Sequence, residues 1–243
     1  MIGGLNMKIV AYNGSPKGKN SSTHVMLEEI LKGAQEQGAE VINYILAEKN
    51  IHHCKGCFHC WYGEKNKCVI QDDMEEAMSH FQDLDILVLG TPLYFDNVSG
   101  MLKVFLDRCI AYGSYFIEKD EHGESKHIDA YKEKHQGKPA PRIVVVSNGG
   151  FAEKSQFQAL EFMMDRMARN MSSEVIAKIF RGQGPLLTFK NEQLKPIIDH
   201  YRELLRQAGR EIAAKQSISS ETQAKLDALL IPADIYNQQI NNR

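Results

Sequence analysis

Long apolar runs are missing from this chain of 243 residues. No stretch approaches the ~20 consecutive apolar residues that a membrane span needs, so we expect no membrane partner. The formal net charge is only -2, which predicts no attraction to nucleic acid. Residues 1–7 lack the charged and apolar regions of a signal peptide. We therefore expect a cytoplasmic protein whose thiols stay reduced.

Buried strands and amphipathic helices alternate along the chain, which predicts an α/β fold with a parallel sheet covered by helices on both faces. We expect one domain over 7–215 with a cysteine-rich insertion, 52–70, and a charged excursion, 118–136, without regular structure. A solvated loop is the favoured interpretation of that excursion, and a lid or dimer arm is the alternative. A C-terminal helical extension, 216–243, ends in a polar segment that we expect to be loose unless it docks on a neighbour. The predicted strands are 8–13, 40–46, 85–90, 142–147 and 174–180, and the predicted helices are 22–37, 72–81, 99–110, 157–170, 191–215 (interrupted early by Pro196) and 220–230.

Four of the five cysteines lie within fifteen residues, at Cys54, Cys57, Cys60 and Cys68. Thiols this close together suit one compact inorganic centre better than several disulfides. The first three have the spacing of iron–sulfur cluster ligands, whereas structural zinc usually takes two separated pairs. A surface loop of reduced, unligated thiols is the alternative. The fifth, Cys109, reads as a buried apolar residue inside a helix.

Three loops at predicted strand ends carry the candidate ligand contacts. The first, 14–23, gathers hydroxyls, backbone N–H groups and a lysine at a helix start, which suits a phosphate, although it is neither a Walker A nor a GxGxxG loop. The second, 91–100, places two aromatic residues and a proline where they can frame a flat ring. The third, 147–151, contains two glycines that permit close approach of a ligand. Each loop could instead serve only as a helix cap or core contact.

Together these segments resemble the flavodoxin-like NADPH-dependent FMN reductase family. The resemblance covers roughly 7–180, and the cysteines with Asp72-Asp73-Met74 bring it close to the iron–sulfur flavoprotein branch. The chain departs from the family at Lys17, where arginine is common, and at Phe95, where tryptophan is common. The matching motifs are Gly14-Ser-Pro-Lys followed by Ser22-Thr23, Pro92-Leu-Tyr94-Phe, Ser99-Gly-Met-Leu-Lys103 and Phe105-Leu-Asp107-Arg108.

The resemblance implies a flavodoxin-like three-layer sandwich with a five-stranded parallel sheet, FMN as cofactor and a possible 4Fe-4S cluster on the four clustered cysteines. The expected phosphate contacts are Ser15, Lys17, Asn20, Ser21, Ser22 and Thr23. The expected contacts of the isoalloxazine ring are Pro92, Leu93, Tyr94, Phe95, Asp96, Asn148, Gly149, Gly150 and Phe151.

The function expected from this resemblance is an FMN-dependent oxidoreductase that passes electrons from NAD(P)H to a small-molecule or protein acceptor. Because a bound flavin supplies the chemistry, we predict no catalytic acid or base. One alternative is an iron–sulfur flavoprotein electron carrier, and another is a non-enzymatic thiol sensor or zinc-binding protein. We expect a homodimer or a larger homo-oligomer, because a single domain of this kind leaves one face of the flavin poorly covered.

Overall fold

A five-stranded parallel sheet with the order β2-β1-β3-β6-β7 forms the centre of the computed structural model, which describes residues 7–64 and 67–242. A separate antiparallel hairpin pairs β4 with β5. The order of the main sheet is the flavodoxin-like one. The strands are β1 (Lys8–Asn13), β2 (Glu40–Ile45), β3 (Ile86–Pro92), β4 (Ile117–Lys119), β5 (Ser125–His127), β6 (Arg142–Asn148) and β7 (Val175–Arg181).

Helices cover both faces of the main sheet, because alternate strand residues enter two different cores. In β1, Ile9 and Ala11 pack with the long first and seventh helices, whereas Val10 and Tyr12 pack with the third, fourth and sixth. This arrangement confirms the predicted three-layer sandwich. The helices are α1 (Ser22–Glu36), α2 (His59–Tyr62), α3 (Met74–Ser79), α4 (Gly100–Arg108), α5 (Ala130–Lys134), α6 (Gln158–Asn170), α7 (Lys195–Lys215), α8 (Ser220–Asp227) and α9 (Ala233–Asn241).

The charged excursion is more ordered than the sequence predicts. It contains the hairpin of β4 and β5 and the helix α5, so the expectation of a stretch without regular structure was wrong. The hydroxyl of Tyr131 donates to the carbonyls of Phe81 and Leu84, at 3.0 and 3.1 Å. His127 packs edge-on against the ring of Trp61, in the cysteine segment. These contacts join residues far apart in the chain, so no periodic pattern in the local sequence predicts them.

Two further predictions are corrected near the C-terminus. Helix α7 begins at Lys195, so Pro196 occupies its first turn, where a missing N–H costs nothing, and does not interrupt the helix. The segment expected to be loose instead belongs largely to α9, whose Tyr236 is buried in the core.

Cys109 follows α4 in a short 3-10 turn, with its sulfur 3.8 Å from that of Met78. Among the described residues, no helix combines the length and apolar character needed to cross a membrane.

Candidate functional site

Hydrogen bonds join three loops at the carboxyl ends of β1, β3 and β6. The amide of Gly14 donates to the carbonyl of Gly90 at 2.7 Å. The hydroxyl of Ser99 donates to the Gly14 carbonyl at 2.5 Å. The side-chain amide of Asn148 donates to Oγ1 of Thr23 at 2.8 Å. The three predicted loops therefore meet at one edge of the sheet, where ligands of doubly wound folds bind.

Several hydroxyls of the first loop are bonded within the protein. Ser21 caps α1 by accepting from the His24 amide at 3.0 Å, and its hydroxyl donates to the Gly18 carbonyl at 2.7 Å. The hydroxyl of Ser22 donates to the carbonyl of Gly184 at 2.8 Å. These two groups hold the loop in place. Donors for an anion are therefore left to the backbone N–H groups at the start of α1 and to other side chains.

The exposed part of the first loop carries one uncommitted cation. The ammonium group of Lys17 makes no hydrogen bond or ion pair with any described residue, whereas Lys19 pairs with Glu48 at 3.0 Å. Ser15 is buried beside Lys17, whose amide donates to its Oγ at 3.4 Å, and Asn20 is exposed. This side of the loop combines a positive charge with polar groups that suit a phosphate.

The second loop contains a tight turn that exposes an aromatic ring to solvent. Tyr94 and Asn97 exchange backbone hydrogen bonds of 3.0 and 3.1 Å. Phe95 and Asp96 between them have φ values of 47° and 58°, as in a type I′ turn. Positive φ is costly for a bulky residue, and the Phe95 side chain is fully exposed, at 104%. Such local strain is typical of a functional position.

The base of the second loop is packed and bonded to the third. Pro92, the last residue of β3, is buried, and Leu93 is half-buried. The amide of Leu93 donates to the carbonyl of Asn148 at 2.8 Å. The predicted ring contacts thus lie side by side on neighbouring strands β3 and β6.

Hydrogen bonds from neighbouring elements fix the backbone of the third loop. The amide of Gly149 donates to the carbonyl of Arg181 at 2.9 Å. The carbonyl of Gly150 accepts from the hydroxyl of Tyr236 in α9 at 2.5 Å. Phe151 is 65% exposed. The loop therefore presents an aromatic ring on a fixed backbone.

The four clustered cysteines line one cavity of about 70 Å³. Cys54 and Cys57 are exposed and Cys60 is buried in α2. Burial first, and the Cys68 thiol second, raise the pKa of the Cys60 thiol. Within residues 7–64 and 67–242, no group of three or more His, Cys, Asp or Glu side chains is already arranged to hold a metal ion. The fold thus gathers a suitable set of sulfur donors without presetting the ligand geometry.

Arg108, at the end of α4, lines the same cavity and is 1% exposed. Its two terminal nitrogens donate to the two carboxylate oxygens of Asp72 at 2.6 and 3.0 Å. Burial alone would raise the pKa of Asp72, but the hydrogen bonds from Arg108, followed by those from backbone amides, hold it well below its usual range. This bidentate pair is of the strong, oriented kind.

Residues 7–173 match the family described as NADPH-dependent FMN reductase. The chain belongs to this family. The match includes all three loops and the cysteine segment, and it confirms the resemblance predicted from the loop motifs.

Iron–sulfur flavoproteins are among the relatives of this FMN reductase family member. One from Archaeoglobus fulgidus is 35% identical over 119 residues, which cover 49% of this chain and 53% of the relative. One from Methanocaldococcus jannaschii is 36% identical over 102 residues, which cover 42% and 51%. The chain spans about half the length of the curated relatives it matches.

Solved structures support the same fold for this family member. An NAD(P)H:quinone oxidoreductase from Methanothermobacter marburgensis gives a TM-score of 0.59 at 15% identity, covering 88% of this chain and 98% of the other. An FMN-dependent NADH-azoreductase from Bacillus anthracis in complex with FMN gives 0.55 at 13% identity, covering 85% and 99%. At these identities the likeness shows the fold alone.

Sequence reasoning missed two residues of the cysteine site of this family member. The sequence places Asp72 at a helix start and in a motif of the iron–sulfur flavoprotein branch but gives it no partner, and its Oδ1 accepts from the Met74 amide at 3.1 Å. Arg108 was noted only as part of a family motif. The two lie 36 positions apart, so only the motif that contains Arg108 could have drawn attention to it.

Proposed function

We propose that this chain is an FMN-dependent oxidoreductase that passes electrons from NAD(P)H to a small-molecule or protein acceptor. The observation that carries the proposal is the junction of three loops at the carboxyl edge of the sheet, with Asn148 bonded to Thr23 and Ser99 to Gly14. Membership of the NADPH-dependent FMN reductase family supports it. The flavin, when bound, supplies the hydride and electron chemistry.

The first loop fits the phosphate of FMN by charge and by its place in the fold. Lys17 supplies a cation, and the start of α1 supplies backbone N–H groups and the positive end of the helix dipole. Ser15, Asn20 and Thr23 add polar contacts, while Ser21 and Ser22 hold the loop. The chain's own residues thus bind and orient the phosphate.

The second and third loops fit the flat ring system. Pro92 and Leu93 form a packed base, and Tyr94 to Asp96 form a turn beside it. The segment from Asn148 to Phe151 lies next to this turn through the hydrogen bond between Leu93 and Asn148. These contacts would orient the ring and exclude water from part of it, which leaves the remaining face for a nicotinamide and then for the acceptor.

Lys17→Ala tests the phosphate assignment. We expect it to weaken FMN binding about tenfold, because a charge-assisted contact is worth ~1.5–3 kcal/mol. Lys19→Ala is the matched control, since Lys19 is two residues away and already pairs with Glu48. Both affinities are measured by titrating FMN into flavin-free protein and recording the change in FMN fluorescence. Equal affinities for the two variants would contradict the assignment.

The cavity with four thiols favours a second candidate function, an electron carrier in which a 4Fe-4S cluster accompanies FMN. The relatives named iron–sulfur flavoproteins support it. The donor set fits a cluster or a soft metal ion, and Cys54, Cys57, Cys60 and Cys68 would hold it. Iron, sulfide and zinc counted per chain in anaerobically purified protein separate the outcomes: iron with sulfide supports the carrier, and zinc alone supports a zinc site or thiol sensor.

We also propose a homodimer whose interface lies beside the flavin loops. Tyr94, Phe95 and Phe151 expose 45%, 104% and 65% of their surface at this edge. Exposed aromatic residues grouped in this way are typical of contact surfaces.

We also propose the cytoplasm as the compartment of this protein. Its five cysteines are unpaired, which suits a reducing environment.

A further inference from the structure

A buried arginine lies in the wall of the cysteine cavity. Arg108 lines it together with all four clustered cysteines, and only 1% of its surface is exposed. A charge removed from water in this way is costly unless partners compensate it. A cation beside thiols has an evident chemical use, because a nearby arginine favours the thiolate, the form that binds metals.

The contacts of Arg108 close the base of the cysteine segment. Its Nη1 donates to the carbonyl of His52 at 2.9 Å, and its Nη2 approaches the carbonyl of Ile70 at 3.4 Å. His52 stands two residues before Cys54, and Ile70 stands two residues after Cys68. One side chain therefore contacts both ends of the loop that carries the thiols.

Asp72 fixes the direction of the guanidinium. Its carboxylate accepts hydrogen bonds from both terminal nitrogens of Arg108. It also accepts one from the His52 amide at 2.9 Å. Asp72 is not among the described residues that line the cavity, whereas Arg108 is. Of the two partners, Arg108 therefore reaches the cavity wall and Asp72 lies behind it.

One donor of Arg108 is left over. Its Nε is buried and has no hydrogen-bond partner among the described residues. A buried N–H without an acceptor is unfavourable, so this atom points to a missing acceptor. The Cys68 sulfur, which lines the same cavity as Arg108, is a candidate acceptor.

We infer that Arg108, held by Asp72, is the positioning residue of the four-cysteine cavity, where it supplies positive charge and an N–H donor to thiolates that bind a soft metal centre. The inference rests on the second candidate function and is independent of the flavin. Hydrogen bonds to the sulfurs and local charge are the means by which proteins tune such centres. Cysteine residues supply the ligands, and Arg108 makes it favourable for four anionic sulfurs to share one cavity.

Cadmium ions test this in the FMN-loaded protein, because Cd²⁺ binds thiolates and gives ultraviolet thiolate-to-metal absorption. We expect Arg108→Gln to weaken Cd²⁺ binding at least tenfold while the FMN content stays unchanged. Arg108→Lys restores the charge and should recover most of that loss, which a purely structural role would not predict. Arg142→Gln is the matched control. Arg142 is exposed, is not among the described residues that line the cavity, and pairs with Glu174.

Binding of Cd²⁺ by Arg108→Gln as tight as by the wild type would overturn the inference, and so would an Arg108→Lys variant as weak as Arg108→Gln. Loss of one partner of a buried pair can unfold a protein, so Asp72→Asn combined with Arg108→Gln removes both charges and is tested in the same way. This neutral pair should also bind Cd²⁺ at least tenfold more weakly, and wild-type affinity in it would reject the role of the charge. A wild type that binds Cd²⁺ no better than Cys60→Ser would reject the cysteine site itself, while FMN titration reports separately on the flavin proposal.

Discussion

At the residue scale, two glycines set how closely α1 and α7 approach. A Cβ at Gly33 would lie 1.9 Å from the carbonyl oxygen of Arg206, and one at Gly209 would lie 1.9 Å from that of Ile30. Both distances are far inside van der Waals contact, and each neighbour is backbone that cannot rotate away. The two helices therefore pack backbone against backbone on one face of the sheet.

Gly209→Ala should lower the free energy of unfolding by about 1–3 kcal/mol, the usual cost of overpacking, despite the better helix propensity of alanine. Gly100→Ala is the control. Apart from its chain neighbours and its own helix backbone, no described atom lies within 4 Å of a Cβ at Gly100, so this variant should be neutral or gain up to ~1 kcal/mol. Urea unfolding of both variants measures the difference. Equal stabilities would show that the helices separate at little cost.

Individual side chains of the site were predicted by type but not by partner. A serine-rich loop at a strand end was recognisable, yet Ser22 donates to Gly184, 162 residues away, and Thr23 accepts from Asn148, 125 residues away. The local sequence does not contain these partners. The sequence therefore locates the loops, because each follows a buried strand. Which partner each hydroxyl of a loop bonds to depends on the tertiary fold.

At the scale of elements, one carboxylate joins α7 to the start of α8. Glu211 in α7 accepts from the Ser219 amide at 2.6 Å and from the Thr222 hydroxyl at 2.7 Å, at the start of α8. Burial alone would raise the pKa of Glu211. Hydrogen bonds from Gln207 and Ser219, with others, outweigh burial and lower the pKa to about 2. The start of α8 is therefore fixed by an ionised group.

This lowered pKa predicts a loss of stability in acid. Above the unfolded pKa of ~4.3, Glu211 is ionised in both states and its contribution of about 3 kcal/mol is complete. As the pH falls towards about 2, the unfolded state binds a proton first and the contribution disappears. Urea unfolding at pH 6 and pH 3 should show a smaller loss for Glu211→Gln than for the wild type. Glu221→Gln, an exposed change in the first turn of α8, is the control and should lose nearly as much as the wild type, because water screens its surface pair with Lys225.

The main elements were predictable and the additions to them were not. Strands such as β3 are continuous apolar runs, and α1 has a clear apolar face, so both kinds of element follow from the local pattern. The hairpin of β4 and β5 has three residues in each strand, and α5 has five residues, too few for a periodicity to show. They are ordered by contacts such as those of Tyr131 with Phe81 and Leu84.

At the scale of the whole molecule, α4 connects the flavin loops to the cysteine cavity. Its N-cap, Ser99, bonds to Gly14 of the first loop, and its last residue, Arg108, lines the cavity. The nine residue steps from Ser99 to Arg108 span ~13 Å at about 1.5 Å per residue. The two candidate sites therefore lie at opposite ends of α4, so changes to the thiols should leave the flavin site intact.

The exposed aromatic residues around the flavin loops make a prediction about assembly. Phe95 on its strained turn is fully exposed, and Phe151 is largely so. We expect a homodimer by light scattering of the FMN-loaded protein, because burying these rings removes apolar surface from water, with ~1.5–3 kcal/mol available for each ring. Phe95→Ser should raise the dimer dissociation constant at least tenfold.

Phe162→Ser is the control for this assembly. Phe162 is 70% exposed on α6, outside the three flavin loops, so its loss should leave the dissociation constant unchanged. A wild-type protein that is monomeric with FMN bound would reject the proposed dimer. A dimer that both variants leave equally stable would place the interface elsewhere, and Phe95 would then act on the bound ring or on the incoming nicotinamide, as seen in the FMN affinity and in the KM for NAD(P)H.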